Sequence, residues 1–257
     1  MIRPLACVTG CNRGLGRGIS AALAIGGFDI IGVDRARTED TRHTRGLVEQ
    51  AGGQMRFVSC DIADTAAVVG LEAQLADRGP VHCLVNNAGV QTRERVSLLD
   101  LTPDEFDRVL SVNLRGTFFL TQKIAGLMRA DPPNPDLGVR SIITVTSSAA
   151  QAANPQTAAY CLSKSALSMM VRLFALELAG DGIASYELRP GLIRTPMTGP
   201  DLRPYEAMFS SGRVPAGDWG SIEQIGTAVA TLARGGLPYC TGEVVNISGG
   251  FQIEQIG

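Results

Sequence analysis

The chain of 257 residues is 45% hydrophobic and 19% charged, with a formal net charge of -2, a composition able to bury a sizeable core. Near-neutral charge with scattered basic residues gives no reason to expect a nucleic-acid or membrane partner; the densest group, Arg35, Arg37, Arg42 and Arg45, is interrupted by Glu39 and Asp40. Six cysteines with no CxxC pair, and only two histidines, argue against a metal site or a disulfide framework and for reduced thiols in a cytoplasmic protein. The start Met1-Ile2-Arg3-Pro4-Leu5 runs directly into a strand pattern, unlike a signal peptide. The apolar runs are expected to fall far short of the roughly 20 residues that cross a membrane.

In chain order, residues 5–9 read as a strand, 15–26 as a helix, 29–34 and 55–61 as strands, and 64–78 as a helix. Then follow a strand at 81–86, a helix at 103–129, a strand at 141–146, a helix at 157–179, a strand at 183–188, a helix at 221–234 and a strand at 244–247. Most of the strands are continuous apolar runs, as a parallel sheet buried on both faces requires. The alternation predicts an α/β fold: a Rossmann-type, doubly wound parallel sheet of about seven strands with helices on both faces. Thr102-Pro103-Asp104-Glu105 predicts a helix start with a capping threonine, a first-turn proline and a glutamate returning to the cap. The stiff turn at 131–136 must end that helix. No linker or repeat divides the chain, so 1–257 reads as a single domain. The Gly- and Pro-rich segment 196–220 reads as a long loop and substrate lid.

Thr9-Gly10-Cys11-Asn12-Arg13-Gly14-Leu15-Gly16 joins the first strand to the first helix. Small residues there let the backbone approach a pyrophosphate, whose charge suits the free N–H groups and dipole at the helix start. The spacing departs from G-x-G-x-x-G, and a glycine-rich turn can also be purely structural. Eighteen residues after Gly16, Asp34 ends the second strand, where a carboxylate can take hydrogen bonds from an adenosine ribose or serve as an ordinary turn residue. Tyr160 and Lys164 are four residues apart and share a helix face. A phenol with an ordinary pKa of about 10 is a poor acid–base catalyst, but a neighbouring ammonium favours its phenolate. Tyr160 then donates a proton to a carbonyl or removes one from an alcohol.

The order of these motifs resembles the short-chain dehydrogenase/reductase family over nearly the whole chain. Thr9-Gly10-x-x-x-Gly14-x-Gly16 is similar to its glycine motif, and Asp61-Ile62 to its adenine-contacting pair. Asn86-Asn87-Ala88-Gly89 matches its NNAG segment, and Tyr160-Cys161-Leu162-Ser163-Lys164 its YxxxK pair. The resemblance implies that Gly10, Asn12, Arg13, Gly14, Leu15, Gly16, Asp34, Arg35, Asp61, Ile62, Asn87, Ala88 and Gly89 hold a dinucleotide. Tyr160, Lys164, Pro190, Gly191, Ile193 and Thr195 then lie near its nicotinamide end, with Lys164 also holding the ribose. It implies catalysis by Asn113, Ser147, Tyr160 and Lys164. The family's serine lies thirteen residues before the tyrosine, which selects Ser147 over its neighbour Ser148. Ser147 would hydrogen-bond the substrate oxygen. Asn113 interrupts the apolar stripe Phe106, Leu110, Thr117 and Leu120. A buried amide there must find partners. It either kinks or links the core, or, as the resemblance implies, holds a water joining Lys164 to solvent.

Asp34 favours NAD, since it would repel a 2′-phosphate; Arg35 and Arg13 could clamp that phosphate and favour NADP. No metal is expected. The contexts of Lys164 and of residues 189–197 resemble proteins labelled 3-oxoacyl-[acyl carrier protein] reductases, so the leading expectation is reduction of a 3-oxoacyl thioester or similar ketone. Alternatives are a sugar, polyol or hydroxy-acid dehydrogenase, or a non-catalytic dinucleotide sensor or scaffold. The segment 196–220 offers Met197, Leu202, Tyr205, Met208, Phe209 and Trp219 as apolar surface, and Arg203 and Arg213 for a carboxylate or phosphate. The resemblance further implies a homotetramer, with a homodimer as the simpler assembly. The tail Ile247-Ser248-Gly249-Gly250 departs from the family's VDGG.

Overall fold

A computed structural model describes residues 2–76, 79–131, 134, 137–198 and 202–254. Seven strands form one sheet: β1 (Leu5–Thr9), β2 (Asp29–Asp34), β3 (Met55–Ser59), β4 (Val81–Asn86), β5 (Arg140–Val145), β6 (Ile183–Pro190) and β7 (Val244–Ile247). Their spatial order is β3-β2-β1-β4-β5-β6-β7, and every neighbouring pair is parallel. The strand order reverses between β1 and β4, which opens a crevice at the carboxyl edge of the sheet.

Successive side chains of a strand point to opposite faces, and both faces are dry. On one, Ala6 and Val8 of β1 pack with Ile19 and Leu23 of α1 (Gly14–Ile25) and with Ile225 and Val229 of α8 (Ile222–Ala233). On the other, Cys7 packs with Val68 and Leu71 of α3 (Thr65–Ala76), Leu120 and Ile124 of α5 (Thr117–Ala130), and Leu178 of α6 (Ala158–Leu178). This two-sided burial is why the strands read as continuous apolar runs.

Several expectations need correction. A helix that the periodicity missed, α2 (Glu39–Gln50), carries a capping box between Thr38 and Thr41 and buries only Thr41, Thr44 and Val48. Its inward stripe is too polar to register as an apolar period. The segment 196–220 is not all loop, since it contains α7 (Arg203–Ser210), short and begun by a proline; residues 199–201 lie outside the described residues. The long helix at 103–129 is broken into α4 (Pro103–Leu110), a π-helical turn (Ser111–Gly116) and α5. Thr102 caps α4 by accepting the Glu105 N–H at 3.3 Å. Glu105 does not return to the cap, because its carboxylate takes the Arg93 N–H at 2.7 Å and the Arg108 guanidinium at 2.8 Å instead. Charge-assisted bonds of that kind are stronger than a return to a neutral amide. Helix α5 ends at Ala130 as expected, and of the turn at 131–136 only Asp131 and Asn134 are described. Residues 77 and 78, at the expected end of α3, lie outside the described residues.

The expectation about apolar length also needs correction: the 27-residue helical stretch Pro155–Asp181 is long and apolar enough to cross a membrane by length and composition. It is apolar on two sides. Leu167, Met170, Val171 and Leu178 are buried, while Leu162, Met169, Leu173 and Leu176 are exposed. Its buried side lies against β6 and carries the buried Lys164, as in the core helix of a globular domain.

Candidate active site

A cavity of about 520 Å³ occupies the carboxyl edge of the sheet. One end is built from the β1–α1 turn. Gly14 opens α1 with φ +55°, a conformation that L side chains rarely adopt. At Gly16 a Cβ would lie 2.0 Å from the Gly10 carbonyl oxygen, so only glycine lets the turn close. The start of α1 has no side-chain cap and no acidic residue in its first turn. Its first N–H groups therefore face the cavity with their partial positive charge uncompensated by the chain. Thr9 ties the floor together: its hydroxyl accepts the Asn87 and Ala88 N–H groups at 3.0 Å, while the Asn87 amide donates to the Thr9 carbonyl at 2.9 Å.

Asp34 stands at the rim. Its two oxygens accept the backbone N–H of Asn12 at 3.1 Å and of Arg35 at 2.9 Å, which fixes the carboxylate and leaves lone pairs on both oxygens. Arg13, Arg35, Asp61 and Ile62 line the same end. An uncapped helix start, a glycine cradle that a Cβ would fill and an anchored carboxylate on the neighbouring strand are together the receptor that a dinucleotide requires.

The other end is built from side chains. Ser147 follows β5 and caps a short 3-10 turn, its hydroxyl accepting the Ala149 N–H at 3.1 Å. That hydroxyl also lies beside the Tyr160 phenol and favours its ionised form. Tyr160 and Lys164 lie on the first turns of α6, which is entered through a 3-10 turn at Pro155–Thr157 where Asn154 accepts the Gln156 N–H at 3.0 Å. Lys164 is buried, donates to the Val145 carbonyl at 3.0 Å and lies 5.6 Å from the centre of the Tyr160 ring. Burial lowers its pKa to about 8, against the opposing pull of Glu187. Burial raises the Tyr160 pKa, and Ser147 acts against that rise. The phenol of the free protein is thus held protonated, opposite to the depression expected from the lysine, because loss of solvent outweighs its neighbours.

The cavity is lined by Gly10, Arg13, Gly14, Leu15, Asp34, Arg35, Asp61, Ile62, Asn87, Ala88, Gly89, Tyr160, Lys164 and Thr195, all read from the sequence. The other expected residues stand behind this wall. The Asn12 side chain is occupied inside the β2–α2 connection, donating to the Ala36 carbonyl at 2.9 Å and accepting from Thr41 at 2.6 Å. Ile193 is a core residue. At Gly191 a Cβ would lie 2.6 Å from the Ser248 Cα, so Pro190-Gly191 turns tightly under the C-terminal segment. Asn113 sits in the π-helical turn, a distortion frequent at functional sites. Its amide accepts the Val90 N–H at 2.7 Å and donates to the Val90 carbonyl at 2.9 Å and the Ser163 hydroxyl at 3.1 Å.

Sequence reasoning missed Thr146, Gln91, Arg93 and Arg108, which also line the cavity. The last three lie on the loop after β4 and on α4, where no local pattern marks them; only the fold brings them to the site. In the segment 196–220, Tyr205 and Phe209 pack against Trp219, with ring centres 5.1 and 5.3 Å apart, and the Tyr205 hydroxyl accepts from Arg95 at 3.1 Å. Arg213 lies over the Phe251 ring at 5.1 Å. Met197 and Pro196 reach the cavity.

Comparison with known proteins agrees with this geometry. A family model described as Enoyl-(Acyl carrier protein) reductase matches residues 10–252. The chain is 34% identical over 249 residues to a 2-dehydro-3-deoxy-D-gluconate 5-dehydrogenase from Bacillus subtilis, covering 96% of this chain and 93% of that protein. A 3-oxoacyl-[acyl-carrier protein] reductase from Brucella melitensis, solved in complex with NAD, superposes with a TM-score of 0.94 at 37% identity, each chain fully covered. A putative 2-deoxy-d-gluconate 3-dehydrogenase from Agrobacterium tumefaciens with bound NADP gives 0.85 at 28% identity, with 96% of each chain covered. With its parallel sheet, glycine turn and Tyr–Lys helix, this chain belongs to the short-chain dehydrogenase/reductase family of enzymes acting on CH–OH groups.

Proposed function

We propose that the protein interconverts a ketone and a secondary alcohol with a nicotinamide dinucleotide, working best as a reductase of 3-oxoacyl thioesters. The observation that carries this is the placement of Tyr160 and Lys164 on the cavity wall away from the glycine turn, with Ser147 beside the phenol just behind the lining residues. A bound nicotinamide would supply or accept the hydride. Tyr160 gives its phenolic proton to the carbonyl oxygen, Ser147 hydrogen-bonds that oxygen, and the Lys164 ammonium stabilises the phenolate left behind. The glycine turn and the N-terminus of α1 would hold the pyrophosphate, and Asp34 the adenosine ribose.

The anchored Asp34 carboxylate supports NAD over NADP, with Arg13 and Arg35 as the counter-argument. A second substrate class, sugar acids or polyols, is favoured by the polar side chains of Gln91 and Arg93 in the cavity lining. The exposed row Leu162, Met169, Leu173 and Leu176 on α6 supports a homotetramer or homodimer formed by helix pairing. Six free cysteines suit a reducing, cytoplasmic setting.

The test is a panel of acetoacetyl-CoA, ethyl acetoacetate, D-gluconate and xylitol with NAD(H) and NADP(H), followed by nicotinamide absorbance. The expected result is fastest turnover of acetoacetyl-CoA with NADH. Preference for gluconate or xylitol would move the protein to the sugar-acid or polyol class. Tight cofactor binding without any turnover would make it a sensor or scaffold. An NADP preference reversed by Arg35→Ala would overturn the assignment of Asp34.

A further inference from the structure

β6 carries two charged residues on the face turned toward α6. Glu187 is 0% exposed and Arg189 9%, while Tyr186 and Leu188 between and beside them join the core on the opposite face. Removing such charges from water is costly, and a buried ion pair often stabilises a fold no better than apolar residues would. The contacts of this pair all lead to the catalytic groups. One Glu187 oxygen accepts from Arg189 Nε at 2.8 Å and from the Thr146 hydroxyl at 2.6 Å. Thr146 stands between Val145, whose carbonyl takes the Lys164 ammonium, and Ser147. The remaining Arg189 nitrogens donate to Gln151 Oε1 at 3.0 Å, on the turn that follows Ser147, and to the Ser168 hydroxyl at 3.3 Å. Ser168 lies one helical turn past Lys164 and donates to its carbonyl at 3.5 Å. The second Glu187 oxygen is buried without a protein hydrogen-bond partner among the described residues.

We propose that Glu187 and Arg189 are positioning residues for the reaction, an ion pair that clamps the strand end bearing Ser147 onto the helix bearing Tyr160 and Lys164 and gives the Lys164 ammonium a buried counter-charge. The inference rests on the assignment of proton transfer to Tyr160 and Lys164. Glu187 opposes the burial that draws the Lys164 pKa down. Around the ammonium lie the Val145 carbonyl that accepts from it, the Tyr160 ring on its own helix and Gly89 after β4, whose added Cβ would lie 3.7 Å from Nζ and 3.3 Å from the neutral Asn113 amide oxygen of the π-helical turn.

The experiment compares Glu187→Gln, the charge-free double variant Glu187→Gln/Arg189→Met and Tyr160→Phe with wild type, using the fastest substrate of the panel above. NADH affinity is read by fluorescence, and kcat and the pH profile of kcat/KM by absorbance. Glu187→Gln is expected to lower kcat at least tenfold with NADH affinity within twofold, and to move the alkaline limb of kcat/KM to lower pH. The double variant is expected to recover thermal stability but not kcat. A double variant with kcat within twofold of wild type, or a Glu187→Gln limb that does not move, overturns the proposal and leaves the pair structural. Should either variant fail to fold, Gln151→Ala and Ser168→Ala each remove one Arg189 partner; a two- to fivefold loss of kcat at unchanged NADH affinity supports the proposal, and no loss refutes it. A Tyr160→Phe enzyme of wild-type activity, or wild type inert to the whole panel, instead overturns the functional reading on which the inference stands.

Discussion

The two ends of the cavity are made of different material. Around the β1–α1 turn the wall is backbone: glycines, uncapped N–H groups and carbonyls held by Thr9 and Asn87. Around Tyr160 it is side chains, among them Thr146 after β5, Tyr160 and Lys164 of α6, Gln91 after β4 and Arg108 of α4, brought together from separate parts of the chain. A backbone wall recognises a shape and a charge and is damaged by added volume. A side-chain wall performs chemistry and is damaged by the loss of single atoms.

Tyr160→Phe should give the largest effect: a loss of kcat of about 10²–10⁴-fold, the range for removing a general acid, with NADH affinity unchanged in a fluorescence titration. Equal loss of binding would mean that the ends are not separable. Ser147→Ala, which removes the donor proposed to hold the substrate oxygen, should lower kcat by about 10²-fold, again without weakening NADH. Gly16→Ala should do the reverse. Its Cβ would meet the Gly10 carbonyl at 2.0 Å and the Asn87 amide at 2.7 Å, so the turn must open. NADH affinity should fall about tenfold, or about 1.4 kcal/mol, with kcat at saturation nearly preserved.

The pH profile gives the smallest and most specific effect. Lys164 is protonated below its lowered pKa of about 8 and neutral above it. The kcat/KM of reduction, which reports the free enzyme, should therefore decline above pH about 8, where no cation remains to stabilise the phenolate. Stability changes in the opposite sense. The folded value lies below the unfolded value of 10.5, so the unfolded chain binds the extra proton between them and stability rises with pH across that window. Parallel activity and thermal-melting profiles between pH 7 and 10 would separate the two; a flat activity profile would detach Lys164 from proton transfer.

The two ends also differed in how readily they could be read. The glycine turn, Asp34, residues 87–89 and the Tyr160–Lys164 spacing are local patterns, because backbone geometry imposes residue types over a few positions. Gly10, Arg13, Gly14 and Leu15 of the turn, Asp34, residues 87–89, Tyr160 and Lys164 all fall on the cavity wall. The π-helical turn around Asn113 and the polar helix α2 were not legible. The first ends at Gly116, packed so close to the distant Ile62 carbonyl that a Cβ would approach it to 2.3 Å. The second is held by Thr41 and Thr44 rather than by an apolar stripe. Glu187 and Arg189 left a trace, two charges at alternate positions of an otherwise apolar strand, but nothing local says what they hold.

By itself the sequence determined the alternation of strands and helices, the two-sided burial of the sheet, the dinucleotide turn and the Tyr–Lys pair. Each of these depends on periodicity or on spacing within one element. Tertiary structure decided the strand order, the burial that shifts Tyr160 and Lys164, the cavity residues drawn from the β4 loop and α4, and the partners of Arg189. Those depend on desolvation and on contacts between residues far apart in the chain, and such quantities exist only once the chain is packed.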